Sequence, residues 1–249
     1  MSRFHRAMGM ARSLAIYHGI PLRQRRMRKL YARFVRPGAL VFDIGAHAGN
    51  RSRAFVALGC RVIAVEPQPD FARLLRFLFA RSDRVQVLEA AVGARPGRGS
   101  LIISERTPTV STLADDWRRQ RAQEQAFSGV RWNERLEIPV TSLDELIARF
   151  GMPAFAKIDV EGFEPFVLEG LTQAPAAISF EYLPGALVEV RRSVTRLGAL
   201  GPYRFNWSQG ETYQLFSDDW LTPEKLLSAL AAPGAANRPG DVYAVLTGE

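Results

Sequence analysis

Short apolar runs alternate with amphipathic stretches along most of the chain, from residue 39 to the end. A continuous apolar run between turn residues is typical of a buried strand, and apolar residues at every third or fourth position are typical of a helix. Strands that alternate with helices form a mostly parallel sheet with helices on both faces, so we predict a doubly wound α/β fold in one domain. The predicted strands are 39–42, 62–65, 85–88, 100–104, 137–140, 154–158, 176–180, 203–207, 213–216 and 241–246, and the predicted helices are 69–80, 143–150, 164–170 and 187–197.

The turn after the first predicted strand carries the clearest chemical signal. Asp43 ends this strand, and Gly45 and Gly49 follow in a Gly-x-x-x-Gly loop before a helix that begins near Asn50. Glycine lets the backbone turn tightly and approach a ligand closely, because it has no Cβ. Glu66 follows the second predicted strand, where an acid can accept hydrogen bonds from both hydroxyls of a ribose. We therefore predict a nucleoside pocket at the carboxyl edge of the sheet.

The residues of this loop favour S-adenosylmethionine over a nicotinamide dinucleotide. The dinucleotide motif is Gly-x-Gly-x-x-Gly, whose backbone amides face a pyrophosphate. Here His47 replaces the second glycine, and the charge of Asp43 would repel a phosphate. S-adenosylmethionine has no phosphate, and it carries a sulfonium and an ammonium that an acid attracts. A strand–turn–helix without any ligand is the remaining alternative.

The N-terminal segment holds the positive charge of the chain. The formal net charge is +8, and residues 1–42 contain ten Arg or Lys and no acid. We interpret residues 1–38 as a basic helical arm and residues 39–249 as the catalytic domain. The simplest interpretation of the arm is a helix that packs on the domain. Alternatively, the arm binds an anionic partner, which would be a membrane surface, an acidic carrier or glycan, or RNA. The apolar residues of the arm at helical spacing are Met27, Leu30, Tyr31, Phe34 and Val35.

The composition excludes several classes of protein. Cys60 is the only cysteine in the 249 residues, so an intramolecular disulfide framework is excluded and a reducing compartment fits. No apolar stretch reaches the roughly 20 residues that span a bilayer. Residues 1–20 lack the apolar core and cleavage site of a secretory signal. We predict a cytoplasmic protein, peripheral to the membrane if the arm binds lipid.

Five acids are predicted to lie at carboxyl ends of strands, which is where open α/β sheets bind their ligands. They are Asp43, Glu66, Asp159, Glu161 and Glu181. A hydroxyl that accepts a methyl group must lose its proton, and a nearby carboxylate can take it as a general base. Asp159, Glu161 and Glu181 are our candidates for this role. Carboxylate oxygens also suit a hard divalent ion, so a metal site is the alternative use of the same three side chains.

Three other features have simpler interpretations. Residues 105–134 are polar and show poor periodicity, so we predict an insertion or a lid over the pocket. His47 lies inside the glycine loop, and a contact within the loop is preferred to a catalytic role. Lys157 comes two residues before Asp159, and a structural ion pair is its simplest role.

Six motifs occur in a characteristic order between residues 39 and 182. They are Phe42-Asp43-Ile44-Gly45-Ala46 with Gly49-Asn50, Val65-Glu66-Pro67-Gln68-Pro69, Ala90-Ala91-Val92-Gly93, Ser111-Thr112-Leu113, Val140-Thr141-Ser142-Leu143-Asp144 and Lys157-Ile158-Asp159-Val160-Glu161-Gly162. In these motifs the chain resembles the FkbM-type S-adenosylmethionine-dependent methyltransferases.

This resemblance implies a Rossmann-like class I methyltransferase fold, and transfer of a methyl group usually to oxygen. The acceptor is often a hydroxyl of a sugar or of a polyketide-type metabolite, so we expect a glycan or small-molecule acceptor. Asp159 and Glu161 would form the acidic cluster beside the transferred methyl group. The family usually has Asn where this chain has His47. The residues implied in cofactor binding are Asp43, Gly45, Ala46, Gly49, Asn50, Glu66, Pro67 and Ala91, with Ala91 near the adenine.

Two other functions compete with this one. A nucleic-acid methyltransferase would explain the basic arm, but the sequence has no Asn-Pro-Pro-Tyr or Asp-Pro-Pro-Tyr type of segment to hold a flipped base. We therefore do not expect nucleic acid as the acceptor. The other alternative is a non-catalytic module that binds an acidic partner through its arm.

Overall fold

The computed structural model describes residues 21–104, 132–183, 185–232, 235 and 238–248. The described residues form seven helices and ten strands, in close agreement with the predicted alternation. The helices are α1 Pro21–Tyr31, α2 Asn50–Ala57, α3 Pro69–Leu78, α4 Leu143–Phe150, α5 Glu164–Glu169, α6 Leu187–Leu200 and α7 Pro223–Ala231. The strands are β1 Leu40–Ile44, β2 Arg61–Val65, β3 Val85–Leu88, β4 Ala91–Val92, β5 Gly97–Ser104, β6 Trp132–Thr141, β7 Phe155–Ile158, β8 Ala177–Tyr182, β9 Tyr203–Gln209 and β10 Gly240–Leu246.

A seven-stranded sheet with the order β3-β2-β1-β7-β8-β10-β9 forms the centre of the fold. The first five strands in this order are parallel, and β10 runs antiparallel to both β8 and β9. The chain leaves β1 toward β2 on one side and returns to β7 on the other. Crevices at such a reversal are where doubly wound sheets bind ligands. The prediction of a mostly parallel, doubly wound sheet is confirmed.

Apolar helix faces cover both sides of this sheet. One core contains buried residues of α4, α5, α6 and α7, and the other contains buried residues of α1, α2 and α3. Helix α1 belongs to the second core through Met27, Leu30 and Tyr31, which are at most 3% exposed. Burial of an apolar side chain of this size contributes roughly 1.5–3 kcal/mol, so α1 is bound firmly to the sheet. Its exposed face carries the basic residues Arg25, Arg26, Arg28 and Lys29.

A second, three-stranded sheet has the order β4-β6-β5 and was not predicted as a separate sheet. Strands β5 and β6 pair antiparallel over their length, and β4 pairs parallel with the end of β6. The predicted strand at 137–140 is the last part of the longer β6, which begins at Trp132. The predicted insertion at 105–134 therefore overlaps β6 by three residues, and its residues 105–131 lie outside the described part of the chain.

In the C-terminal third, one prediction was wrong and one helix was not predicted. The segment 213–216 is not a strand, because Tyr213 adopts a left-handed backbone conformation with φ 53° and the segment has no regular pairing. Helix α7 was missed, although its start has a recognisable signal. Thr222 accepts a hydrogen bond from the backbone N–H of Lys225, and Pro223 follows it at the first helical position. In the described part of the chain, no helix is long and apolar enough to cross a membrane.

Candidate functional site

The glycine loop lies between β1 and α2 and forms one wall of a cavity. Gly45 and Gly49 have φ of 77° and 76°, a conformation that side chains rarely adopt. A Cβ at Gly45 would overlap the backbone carbonyl oxygen of Asp159, and one at Gly49 would lie 2.7 Å from a methyl carbon of Leu75. The loop therefore needs both glycines to lie this close to β7 and α3.

Glu66 follows β2 and is 3% exposed. Its Oε2 accepts the backbone N–H of His47 at 2.8 Å, and its Oε1 accepts the backbone N–H of Gln68 at 2.9 Å. Burial raises the pKa of Glu66 to about 7, although these two hydrogen bonds favour the ionised form. One carboxylate thus fixes the glycine loop to the end of β2 and faces the cavity.

The cavity has a volume of about 850 Å³, counting its open mouth. It is bounded by the glycine loop, the ends of β1, β2 and β7, and the segment around β4. Most of the predicted site residues line it together: Gly45, Ala46, Asn50, Glu66, Pro67, Ala91, Asp159 and Glu161. Asp43, Gly49 and Glu181 are close to it but do not line it.

Asp43 is 1% exposed and lies behind the glycine loop. Its Oδ2 accepts the hydroxyl of Ser52 at 2.5 Å, a short bond that ties β1 to the first turn of α2. Its Oδ1 has no hydrogen-bond partner among the described residues. The pKa of Asp43 is raised, because the effect of burial exceeds the opposing effect of the hydrogen bond from Ser52. The geometry gives Asp43 a role in shaping the loop, and direct contact with a cofactor stays a prediction.

Asp159, Glu161 and Glu181 converge at the carboxyl ends of β7 and β8. Each offers a carboxylate oxygen, and these oxygens lie within 4.8 Å of one another. The backbone N–H of Asp159 donates to the carbonyl of Ile44 at 2.9 Å, which fixes it beside the glycine loop. Glu161 has a left-handed φ of 53°, so the chain turns sharply there and brings its side chain back toward the cluster.

This crowding determines how the three acids ionise. Burial, and then the negative charge of Asp159, raises the pKa of both Glu161 and Glu181 well above the ordinary range. The pKa of Asp159 is lowered, because its attraction to Lys157 and Arg51 outweighs its burial. The three carboxyl groups therefore do not ionise alike, and a proton acceptor or a divalent cation would both fit the chemistry of the cluster.

Two cations and a further acid support Asp159 from below. Lys157 is fully buried, and its Nζ lies 3.4 Å from Asp159 and 2.9 Å from Asp241. Arg51 lies 3.3 Å from Asp159 and 4.0 Å from Asp241. The predicted structural ion pair of Lys157 is therefore present. Arg51 and Asp241 were missed by the sequence analysis. Asp241 stands at the amino end of β10, which meets this edge of the sheet only because β10 is antiparallel.

His47 contributes to the loop rather than to the acidic cluster. Its ring lies against Phe71, with ring centroids 3.9 Å apart. Burial lowers the pKa of His47 to about 4, so the ring is neutral at physiological pH. Its backbone N–H donates to Glu66 after β2, outside the loop, and a contact of His47 within the loop stays a prediction.

The cavity residues fit S-adenosylmethionine better than a phosphate-bearing cofactor. Glu66 can accept ribose hydroxyls, and the buried side-chain amide of Asn50 has no partner for its nitrogen among the described residues. Arg51 is the only Arg or Lys among the described residues that line the cavity, and it is paired with Asp159. The apolar side chains around β4 supply a surface for an adenine: Ala91, Val92, Leu101 and Phe163.

Comparison with known proteins points to methyltransferases. Three similar solved structures are a putative O-methyltransferase of Klebsiella pneumoniae (10% identity, 96% of this chain and 90% of that chain covered, TM-score 0.49), an O-methyltransferase of Bacillus cereus in complex with SAH (14%, 96% and 91%, 0.47), and a precorrin-6y C5,15-methyltransferase of Geobacter metallireducens (12%, 90% and 87%, 0.45). No curated protein matches the chain. A family model described as a methyltransferase FkbM domain matches residues 43–198, which is more than half of the chain.

Proposed function

The chain belongs to the FkbM methyltransferase family, and we propose that it transfers the methyl group of S-adenosylmethionine to a hydroxyl oxygen of a glycan or of a small metabolite. One observation carries this proposal. The glycine loop, the buried Glu66 and the acids Asp159 and Glu161 line a single cavity at the point where the sheet reverses its order. The cavity can therefore hold a nucleoside and a proton acceptor side by side.

The cofactor half of the cavity is built from the glycine loop and β2. S-adenosylmethionine would supply a methyl group whose carbon an acceptor oxygen attacks, while its C–S bond breaks and S-adenosylhomocysteine leaves. Glu66 would accept the ribose hydroxyls, because both of its oxygens are already held in place by backbone amides. Asn50 would donate its side-chain amide, and Ala91 would border the adenine. All three residues line the cavity, which supports this assignment.

The acceptor half is the acidic cluster. Precise placement of an acceptor hydroxyl accounts for much of the acceleration in a displacement of this kind. Asp159 is the member that is held ionised, so its carboxylate would take the hydroxyl proton. Burial and the charge of Asp159 raise the pKa of Glu161 and Glu181, which makes their carboxylates stronger bases, so either would share the role of proton acceptor.

A divalent ion is a second use of the same cluster. Three carboxylate oxygens within 4.8 Å of one another match the ligand set that Mg²⁺ prefers. An ion there would lower the pKa of Glu161 and Glu181, because a bound cation favours the ionised form of its ligands. Titration of Mg²⁺ into the protein in a weakly buffered solution, with and without S-adenosylmethionine, measures both the binding and any proton release.

The basic face of α1 supports an anionic partner. Its side chains Arg25, Arg26, Arg28 and Lys29 are all exposed, and α1 begins beside the pocket, where the side-chain amide of Gln24 donates to the carbonyl of Asn50 at 3.1 Å. An anionic membrane would fit this surface, and the enzyme would then act at the cytoplasmic side of that membrane. An acidic carrier or glycan that presents the acceptor is the other candidate.

Calorimetric titration of S-adenosylmethionine and of S-adenosylhomocysteine tests the cofactor assignment, and we expect micromolar binding of both. A screen with isotopically labelled S-adenosylmethionine then tests the acceptor, beginning with sugars and hydroxylated metabolites. Label in an alkali-stable ether would support transfer to a hydroxyl. Label in an amine or a carbon product would contradict it, and a lack of binding by either ligand would contradict the cofactor assignment.

A further inference from the structure

Asp241 lies at the start of β10, beyond the residues that the family model matches. In the antiparallel pairing of β10 with β8, it stands opposite Glu181. It is 4% exposed and does not line the cavity. Its carboxylate reaches the site through others, because it pairs with Lys157 at 2.9 Å and lies 4.0 Å from Arg51.

These residues and Asp159 form a set of two cations and two acids. Lys157 and Arg51 both approach the same oxygen of Asp159, at 3.4 Å and 3.3 Å. Lys157 is fully buried, so solvent ions screen its charge little. Asp241 supplies the second negative charge. Without it, a single carboxylate would face two cations, and the set as a whole would carry one positive charge.

We propose that Asp241 is a positioning residue that adapts the cofactor pocket to a positively charged ligand. By neutralising Lys157, it leaves the carboxylate of Asp159, which lines the cavity, able to attract a cation. This inference rests on the proposed function, in which that cation is the sulfonium of S-adenosylmethionine. With this role, the site extends to β10 in the C-terminal third of the chain. No sequence motif indicated a site residue there.

The two forms of the cofactor provide a direct test. S-adenosylmethionine carries a net charge of +1, and S-adenosylhomocysteine has nearly the same shape without the sulfonium charge. A general loosening of the pocket lowers the affinity for both ligands alike. A change in the charge of the pocket lowers the affinity for S-adenosylmethionine alone. A unit charge acting over about 10 Å at an effective dielectric constant of about 20 changes an affinity by about tenfold. The ratio of the two dissociation constants therefore reports the potential inside the pocket.

We would measure this ratio by calorimetry in the wild-type protein, in Asp241→Asn and in the double variant Lys157→Met/Asp241→Asn. Asp241→Asn should weaken S-adenosylmethionine relative to S-adenosylhomocysteine by about tenfold. The double variant removes one charge of each sign, so its ratio should return to the wild-type value. The double variant removes Lys157 together with its partner Asp241, so it leaves neither charge buried without the other. It can therefore be measured even if the single variant fails to fold. Asp218→Asn, which neutralises an exposed acid, is the matched control and should leave the ratio unchanged.

The outcomes separate this inference from the proposed function. Equal weakening of both ligands in Asp241→Asn would overturn the inference, since Asp241 would then only support the fold. A ratio in the double variant that differs from wild type would overturn it as well, because the effect would not depend on charge balance. Failure of the wild-type protein to bind either ligand would instead refute the proposed function.

Discussion

The backbone N–H of His47 donates to Glu66 at 2.8 Å, across 19 residues of sequence. This bond joins the left-handed turn of the glycine loop to the end of β2, and a second bond from the N–H of Gln68 holds the other oxygen at 2.9 Å. The same carboxylate has a pKa of about 7, because it is buried. Glu66 therefore fixes the shape of the pocket and also holds a proton near neutral pH.

Cofactor binding should release a proton from Glu66. Ribose hydroxyls that donate to its carboxylate favour the ionised form, so binding lowers its pKa below the value of about 7 in the free protein. Affinity for S-adenosylhomocysteine should then rise with pH and level off above about pH 7. Calorimetry at pH 6.5 in two buffers of different ionisation enthalpy measures the release. Glu66→Gln should abolish it, and a wild-type protein that binds without releasing a proton would contradict this role.

The raised pKa of Glu66 also makes stability depend on pH. The folded protein binds this proton up to about pH 7, whereas the unfolded chain loses it near the ordinary value of 4.5. The folded state thus binds more protons between these values, so the free energy of unfolding should fall as pH rises from about 4.5 to 7. Glu164 has a pKa of about 7 and adds to the same trend. Thermal melts at several pH values should show that the melting temperature falls less steeply with pH in Glu66→Gln than in the wild type. An unchanged pH dependence would argue against a raised pKa of Glu66.

Removal of the Ser52 hydroxyl should destabilise the protein through Asp43. Their short bond ties β1 to α2, and Ser52→Ala would leave a buried carboxylate whose two oxygens lack partners among the described residues. Such a loss costs roughly 1–3 kcal/mol. Denaturant unfolding measures it, with Ser100→Ala on β5, a half-buried serine that does not line the cavity, as the control. A change within about 0.5 kcal/mol would show that the bond contributes little.

Glu161→Gln should abolish methyl transfer while affinity for the cofactor stays nearly unchanged. The carboxyl group belongs to the acidic cluster and not to the ribose end of the cavity. The same change should raise the melting temperature at pH 8, because burial and then repulsion by Asp159 raise the pKa of Glu161, so the folded protein binds this proton more tightly than the unfolded chain and loses stability as the pH rises. Activity and melting temperature are measured on the same preparation. Retained turnover would exclude Glu161 from the acceptor site, and a lower melting temperature would contradict the repulsion.

The sequence predicted the parts of the fold that local signals determine. Ser142 shows this well, because a serine followed three residues later by Glu145 predicts a helix start, and the serine hydroxyl indeed accepts the N–H of Glu145 at 3.2 Å. The glycine loop and Glu66 were predictable for a similar reason, since their spacing repeats a known strand–turn–helix geometry. In each case the residues that determine the structure are neighbours in sequence or belong to one motif.

Features that depend on pairing between distant segments were not predictable in this way. Ligands of such sheets are expected at the carboxyl ends of strands, so this rule does not identify Asp241. The residue stands at the amino end of β10, which pairs antiparallel with β8. The strand predicted at 213–216 was wrong for a related reason. Tyr213 is 4% exposed and packs on the core from an irregular segment, and the backbone N–H of Phe216 donates to the carbonyl of Trp207 at 2.8 Å.

Deletion of residues 1–22 should leave folding and cofactor binding intact, whereas deletion of residues 1–35 should not. The longer deletion removes Met27, Leu30 and Tyr31, whose burial contributes roughly 1.5–3 kcal/mol each. A domain is typically stable by only about 5–15 kcal/mol, so the shorter chain should aggregate or unfold. Circular dichroism and calorimetry measure both variants. Loss of cofactor binding in the first variant would mean that residues 1–22 complete the pocket.

Charge reversal on α1 should abolish binding to anionic vesicles without affecting the pocket. Arg25, Arg28 and Lys29 are exposed, and each basic side chain near an anionic surface contributes about 1 kcal/mol. Replacement of all three by Glu should therefore lower the affinity for phosphatidylglycerol vesicles by about 100-fold or more, which corresponds to on the order of 3 kcal/mol. Sedimentation with the vesicles measures this affinity. The affinity for S-adenosylhomocysteine should remain that of the wild type. A matched variant with Glu at Arg81, Arg95 and Arg98, which are exposed and do not belong to α1, should bind vesicles as the wild type does.

The alternatives to a membrane give different results in the same assay. Wild-type protein that binds neutral phosphatidylcholine vesicles equally well would show that charge on α1 is not the cause. If vesicles of both kinds fail to bind while an acidic polysaccharide or RNA does, α1 serves a soluble anionic partner instead. In that case a steep decrease of affinity with salt is expected, because the interaction releases condensed counterions. Only binding that is selective for anionic lipid and is lost in the α1 variant supports action at a membrane surface.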